Sequence, residues 1–261
     1  MTADEIIVDD AGGIVTVTIN RPAMKNAISV TMFETMRDTF RSITARQEAR
    51  CVVLTGTHDF AAGADLTRGG SGTRRQRAHT LYSMRVIHDA VVALHEIPVP
   101  VIAKVRGVAV GAGMSLVLAC DMAVASSNAR FAAIFARRGL SLDCGASWLL
   151  PRLVGIQKAK EIALLADMLG ADEAKAIGLV NRVVPDDELD AAVDELALRL
   201  SRGPTIALSM TKRLLNNAFT SSLAEALEAE AMAQAVNSST HDTTEGLLAF
   251  VEKRDASFKG R

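Results

Sequence analysis

Aromatic side chains are scarce in this chain of 261 residues: they make up 4%, with a single Trp and a single Tyr. Stacking platforms for single-stranded nucleic acid are built from such rings, so that class of partner is disfavoured. An excess of charge of one sign is also missing. The formal net charge is −1, which provides no basic field to hold nucleic acid or an anionic membrane. The only local basic run is Arg68 with Arg74, Arg75 and Arg77. Cysteine is limited to Cys51, Cys120 and Cys144, odd in number, widely spaced and without a CxxC pair. That excludes a disulfide framework and a cysteine zinc site. Long apolar runs are lacking too. The longest, residues 107–120, has 14 residues, where a membrane span needs about 20. The acidic start MTADEIIVDD does not read as a secretory leader. The expectation is a cytoplasmic protein with reduced thiols, no membrane and no nucleic acid.

What is present is a core. Hydrophobic residues are 49% and charged residues 23%, the composition of a folded chain that buries one large domain, with or without a helical appendage. The first two-thirds alternates β-type and helical runs. Residues 14–19 (IVTVTI) are rich in β-branched side chains and end at the turn signal Asn20-Arg21-Pro22. Ser29 opens a helix in which Phe33, Met36, Phe40 and Ile43 recur at three and four residues. CVVLT at 51–55 reads as a buried strand ended by Gly56. Leu81, Met84, Ile87, Val91 and Leu94 mark another helix, which Pro98 and Pro100 stop; 101–105 is the next strand, followed by a glycine turn, an apolar helix and a strand at 122–125. Strand–helix–strand alternation implies parallel pairing with helical crossovers. From about Asp186 the pattern is helical: Leu189, Val193, Leu196 and Leu200, then Ile206, Met210 and Leu214, then 223–236 and 243–253. That stretch has too little apolar surface to fold alone and needs the core or another subunit to pack on.

Two turns carry the chemical interest. Asp59-Phe60-Ala61-Ala62-Gly63-Ala64-Asp65-Leu66 follows the strand CVVLT, and small residues there allow either tight packing or close approach of backbone N–H groups to a ligand. Val110-Gly111-Ala112-Gly113-Met114-Ser115 leads into the apolar helix, where free N–H groups favour negative charge. Two such turns aimed at one carbonyl oxygen would stabilise an enolate or tetrahedral oxyanion. There is no GxGxxG and no GxxxxGK[ST], so neither a dinucleotide site nor a P-loop is supported.

RPAMKNAIS (21–29), VLTGTHDFAAGADL (53–66), KVRGVAVGAGMSLVLACD (104–121), RRGLSLDCGASWLLPRLVG (137–155), EAKAIGLVNRVVP (173–185) and FVEKRDASFKGR (250–261) follow one another in order. In that order and spacing they resemble the crotonase superfamily, the enoyl-CoA hydratase/isomerase family. The resemblance implies an α/β fold, a spiral of ββα units over residues 1–200 that binds acyl-CoA. It also implies a helical C-terminal region, 201–261, for trimerisation and for closing the CoA site. It implies a coenzyme A thioester as substrate, no other cofactor, no metal, and a homotrimer or dimer of trimers. By match, the thioester oxygen is held by the backbone N–H groups of Ala64 and Ala112, beside Gly63 and Gly111. Ala62 meets the adenine, Asp65 and Leu66 border the CoA channel, and Arg21 and Lys25 stand where the family places basic groups near the CoA phosphates, unless they are solvated surface charges. Phe250 and Lys253 match a signature that reaches a neighbouring subunit's CoA.

The catalytic carry-over departs from the hydratases of the family, which use two glutamates, one to orient water and one to supply a proton. Their positions hold Ser115 and Phe135 here. Ser115 can hold water but lacks the basicity of a carboxylate. One acid remains in the block. Asp143 stands where several isomerases of the family, and a dehalogenase relative, place an aspartate. Ring isomerases of phenylacetate degradation are similar in the GL…D…GxSWxLPR arrangement and also lack both glutamates. A carboxylate beside Phe135 and Trp148 in an apolar pocket is expected to have a raised pKa, which suits a proton shuttle; the structural alternative is that Asp143 caps the helix that begins near Gly145. Isomerisation of an enoyl-CoA with Asp143 as shuttle is the leading expectation. A divergent hydratase and a non-catalytic acyl-CoA binder are the alternatives. Cys144 reads as a small core residue, His58 as a surface loop residue, and His79, His88 and His95 lack metal-ligand spacing. The Gly/Arg-rich segment 67–79 is expected to be a loop over the acyl pocket.

Overall fold

A computed structural model describes residues 4–66 and 80–261. The Gly/Arg-rich segment, with the basic run and His79, lies outside the described residues. The elements in chain order are β1 (Ile6–Ala11), β2 (Ile14–Ile19), α1 (Val30–Thr44), β3 (Cys51–Gly56), α2 (Thr80–His95), β4 (Val101–Val105), β5 (Val108–Val110), α3 (Ala112–Ala119), β6 (Met122–Ser126), β7 (Arg130–Ala132), α4 (Ala146–Val154), α5 (Ile156–Leu165), β8 (Leu169–Gly170), α6 (Ala171–Ala176), β9 (Arg182–Val184), α7 (Leu189–Ser201), α8 (Thr205–Asn217), α9 (Leu223–Ser238) and α10 (His241–Glu252). Among the described residues the main sheet has six strands in the order β1-β2-β3-β4-β6-β9, and a small sheet has the order β5-β7-β8. The units β4-β5-α3 and β6-β7-α4 each place one strand in the main sheet, one in the small sheet and then a helix. This is the expected spiral of ββα units.

The main sheet is parallel except for β1, which pairs antiparallel with β2. The run CVVLT is apolar throughout because both faces of β3 are covered. Val52 and Leu54 face the main core with α1 and α2, whereas Cys51 and Val53 pack under Leu189, Val193 and Leu196 of α7. On α1 the stripe of Phe33, Met36, Phe40 and Ile43 is buried as the spacing predicts, and the Ser29 hydroxyl accepts from Met32 N–H at 3.2 Å, capping the helix. On α2 the expected stripe is corrected at its start. Leu81 is exposed, and the buried face begins at Ile87.

The helical part beyond Asp186 divides into two. α7 covers the sheet and is tied to it by Lys104–Asp190 at 2.8 Å and Arg106–Asp186 at 3.0 Å. α8, α9 and α10 bury little of themselves, and Leu215, Phe219, Leu223, Leu227, Leu247 and Phe250 are exposed. α8 is anchored by one strong contact. Lys212 meets Asp121 at 2.7 Å, and Asp121 also accepts from Val101 N–H at 2.7 Å. Burial raises the Asp121 carboxyl above its ordinary range even though Lys212 pulls it down. After α10 the chain is gripped by the buried Asp242, whose two carboxylate oxygens accept from the N–H groups of Lys259 and Gly260, each at 2.7 Å.

Candidate active site

The site is built where two loops are stitched side by side. Phe60 N–H donates to Arg106 O at 2.8 Å, Ala61 N–H to Val108 O at 2.9 Å, and Val110 N–H returns to Ala61 O at 3.0 Å. The Asp59 carboxylate accepts from Val108 N–H at 2.9 Å. Contacts this close need glycine at several points: a Cβ on Gly113 would lie 2.3 Å from Ala61 O, and one on Gly56 would lie 2.2 Å from Asp59 O. On the outer side of the loop, Ile28 N–H donates to Gly63 O at 2.8 Å and Asp65 N–H donates to Ile28 O at 2.9 Å, so Ala64 bridges Ile28. In such a bridge the N–H of the central residue faces away from its partner strand. The Ala64 amide therefore looks to the opposite side, where the second turn lies. A Cβ on Gly63 would sit 3.8 Å from Ala112 N, and one on Gly111 would sit 3.9 Å from the Gly63 α-carbon. Both glycines have φ in the left-handed region, at 97° and 55°.

Ala112 is the first residue of α3, where an amide has no carbonyl one turn back to bond. Neither Ala64 N–H nor Ala112 N–H donates to an acceptor among the described residues. Two adjacent turns thus carry free donors, one of them at the positive end of a helix that is buried along its whole length.

Farther along α3, Ser115 is fully buried, and its hydroxyl donates to Gly111 O at 3.2 Å and to Asp143 O at 3.3 Å. Its hydrogen is therefore turned toward main-chain carbonyls. Through that bond the backbone at 143 rests on α3 within a turn of Ala112. The Asp143 side chain enters a cavity of about 610 Å³ between α2 and the start of α4, and its Oδ1 is buried without a hydrogen-bond partner. Burial raises its carboxyl above the ordinary carboxylate range, with the Cys144 thiol and the charge of His88 pulling the other way. Asp143 does not cap α4, whose N-cap is Gly145 with no side-chain bond. Cys144 and Gly145 both have positive φ, 51° and 78°, a sharp turn that sends the chain into α4. Cys144 is in the core as expected, and burial pushes its thiol up.

Two expected neighbours are elsewhere. Trp148 is not in this cavity. Ser147 faces it, and one further residue rotates Trp148 by about 100° round α4, to where the His95 ring meets it edge-on at 5.7 Å and the Arg152 guanidinium stacks 3.6 Å above it. Phe135 lines an adjoining cavity of about 340 Å³, which shares Leu140, Ser141, Leu142 and Ser147 with that of Asp143. The raised Asp143 carboxyl thus has a desolvating environment made of other residues than those expected.

Arg21 has partners within the chain. Its guanidinium binds Asp65 at 2.7 Å and Ala27 O at 3.0 Å, and the Asp65 side chain is 1% exposed. Arg21 and Asp65 thus form a latch that holds the first loop to the approach of α1. Lys25 is exposed, and its carbonyl accepts from Ala62 N–H at 2.9 Å, which ties its backbone to the loop. Leu66 is 62% exposed and Phe250 84%; Lys253 ends α10 in the left-handed conformation. His58 is exposed. Among the described residues no group of three or more His, Cys, Asp or Glu side chains converges as metal ligands do, and no helix is long and apolar enough to cross a membrane.

Sequence reading missed Asn26. It is fully buried, accepts from Arg21 N–H at 2.7 Å and donates to the carbonyls of Thr57 and Asp59 at 3.0 and 2.5 Å. It clamps the start of the first loop. An asparagine between Lys25 and Ala27, just before a helix, is the only signal it leaves in the sequence.

The chain matches the family described as enoyl-CoA hydratase/isomerase over residues 9–261. It is 35% identical over 251 residues to the 1,2-epoxyphenylacetyl-CoA isomerase of Escherichia coli K12, covering 95% of this chain and 96% of that one. It is 33% identical over 265 residues to the short-chain-enoyl-CoA hydratase of Clostridium acetobutylicum, covering both chains fully. A solved structure of an enoyl-CoA hydratase from Bacillus anthracis superposes with a TM-score of 0.92 at 31% identity, over 99% of this chain and 100% of that one.

Proposed function

The chain belongs to the enoyl-CoA hydratase/isomerase family, and from that premise we propose that it moves the double bond of an enoyl-CoA thioester, using the Ala64 and Ala112 amides as an oxyanion hole and Asp143 as the proton shuttle. The observation that carries this reading is a half-buried carboxylate with a raised pKa and an unpartnered oxygen, anchored by Ser115 to the same helix that presents the Ala112 amide.

The free amides of Ala64 and Ala112 take the thioester oxygen. Donors fixed in the backbone stabilise the negative charge that builds on that oxygen when a proton leaves the neighbouring carbon, and they need no rearrangement to do so. The Asp143 carboxylate removes the proton, becomes neutral, and returns it to another carbon of the dienolate. Its raised pKa narrows the gap to a carbon acid, and the neutral form is tolerated where an unpaired anion is not. Hydration would need a second group to orient water. The glutamate positions hold Ser115, whose hydroxyl is turned to carbonyls, and Phe135. The relatives include both an isomerase and hydratases by name, so the direction rests on these residues. At the other end of the ligand, Lys25 and Arg21 stand near the CoA phosphates, Ala62 lies under the adenine, and Phe250 and Lys253 close the site of a neighbouring subunit in a trimer or dimer of trimers.

The test is isotopic. A 3-enoyl-CoA incubated in D2O is expected to isomerise and to take up deuterium, and Asp143→Asn is expected to stop both while still binding CoA esters. Full activity in Asp143→Asn refutes the shuttle. Rapid hydration of crotonyl-CoA by the wild-type protein would favour the hydratase reading instead.

A further inference from the structure

The Asp143 cavity has a second polar arm. His88 lies on α2, on the face that Met84 and Val91 also turn to this cavity, and it stands across from Leu142, Asp143 and Ser147. The two groups differ in their access to water: Asp143 Oδ1 is buried and unpartnered, and His88 is exposed. The remaining polar groups at the Asp143 carboxyl are poor carriers. Burial keeps the Cys144 thiol protonated, and the Ser115 hydroxyl is engaged with main-chain carbonyls. Among the described residues that line this cavity, His88 is the one imidazole. No direct side-chain hydrogen bond links the two in the ligand-free molecule.

We propose that His88 relays the proton between Asp143 and solvent, so that the hydrogen taken from the substrate exchanges with water during its stay on the carboxyl. This rests on Asp143 being the shuttle. The proton balance is simple. Asp143 carboxylate accepts a proton from the substrate carbon and becomes a carboxylic acid. A neutral His88 imidazole takes that proton on one ring nitrogen, directly or through one water in the cavity, and the imidazolium gives a proton to bulk water. The reverse path reloads the carboxyl from water before reprotonation of the dienolate. No electron moves and no other reactant is consumed. A carboxyl shielded from bulk water and with no relay would instead hand the same hydrogen back to the substrate. His88 thus sets the ratio of solvent exchange to internal transfer, and it acts through Asp143.

The experiment uses the intact protein with trans-3-hexenoyl-CoA in D2O, reading product formation and deuterium content by mass spectrometry. Wild type is expected to incorporate solvent deuterium at each turnover. His88→Gln is expected to lower deuterium per turnover by about tenfold or more, while isomerisation slows by a smaller factor. Added imidazole is expected to restore exchange in His88→Ala. His88 is exposed, so both variants are expected to fold, and their melting temperatures check this. If Asp143→Asn is inactive but His88→Gln keeps the wild-type deuterium per turnover, the relay is overturned and the shuttle stands. If Asp143→Asn still isomerises, or wild type neither isomerises nor exchanges, both fall.

Discussion

Asp143 trades stability for chemistry, and its sign can be worked out. Burial raises its folded-state pKa above the unfolded value. The protonated form is therefore favoured by folding, and the associated stability is present at low pH and lost as pH rises through the raised value. At neutral pH the buried anion is a burden, so Asp143→Asn is expected to melt higher than wild type. The difference should narrow as the buffer is lowered toward about pH 4, the ordinary aspartate range. A thermal melt series at several pH values checks this, and an Asn variant that melts lower at neutral pH contradicts it. Activity should have the mirror dependence: kcat/KM rises with pH through an apparent pKa above that of a free aspartate, as the base form appears. Gly63 makes a second prediction at this scale. At φ 97°, a Cβ there lies 3.0 Å from Val110 O and 3.8 Å from the Ala112 nitrogen. Gly63→Ala is expected to cost about 1–3 kcal/mol from strain and overpacking and to remove activity by intruding on the oxyanion site. Normal turnover in this variant would place the thioester carbonyl elsewhere.

At the scale of elements, the Lys212–Asp121 contact holds α8 to the start of β4. Removing one partner of a buried pair leaves an uncompensated charge, so Lys212→Met is expected to cost about 3–5 kcal/mol at neutral pH. The cost should fall in mild acid as Asp121, already raised by burial, takes up a proton. Denaturant unfolding at two pH values measures it. The elements also show what sequence pattern conveys. α1 was legible because one face is buried along its length and the stripe has the helical period. β3 was legible because both faces are covered. β1 was not read: it is an edge strand whose residues are half-buried or exposed and include Asp9 and Asp10, so it carries no alternation. β5 and β7, at three residues each, are too short to show a period. Of the candidate site, the two glycine turns and Asp143 were visible. The Arg21–Asp65 latch was hidden because its partners are 44 residues apart, and the direction of Trp148 was hidden because it depends on where α4 begins.

At the scale of the molecule, the described residues leave α8, α9 and α10 with apolar side chains in solvent, among them Leu223 at 77% and Phe250 at 84% exposure. Helices that short of cover favour association with a second copy, which fits the trimer proposed above. Phe250→Glu is expected to shift the assembly to smaller particles in size-exclusion light scattering and to weaken CoA-ester binding. Unchanged mass would remove this face from the interface. By contrast, the two donors proposed to polarise the substrate come from main-chain nitrogen, set by a buried helix and a bridged loop. Changes of side chain elsewhere in the pocket leave them in place. A lineage with this scaffold can therefore relocate or discard its acids one codon at a time, and each intermediate still grips and activates its thioester. New reactions can arise without first losing the old binding step.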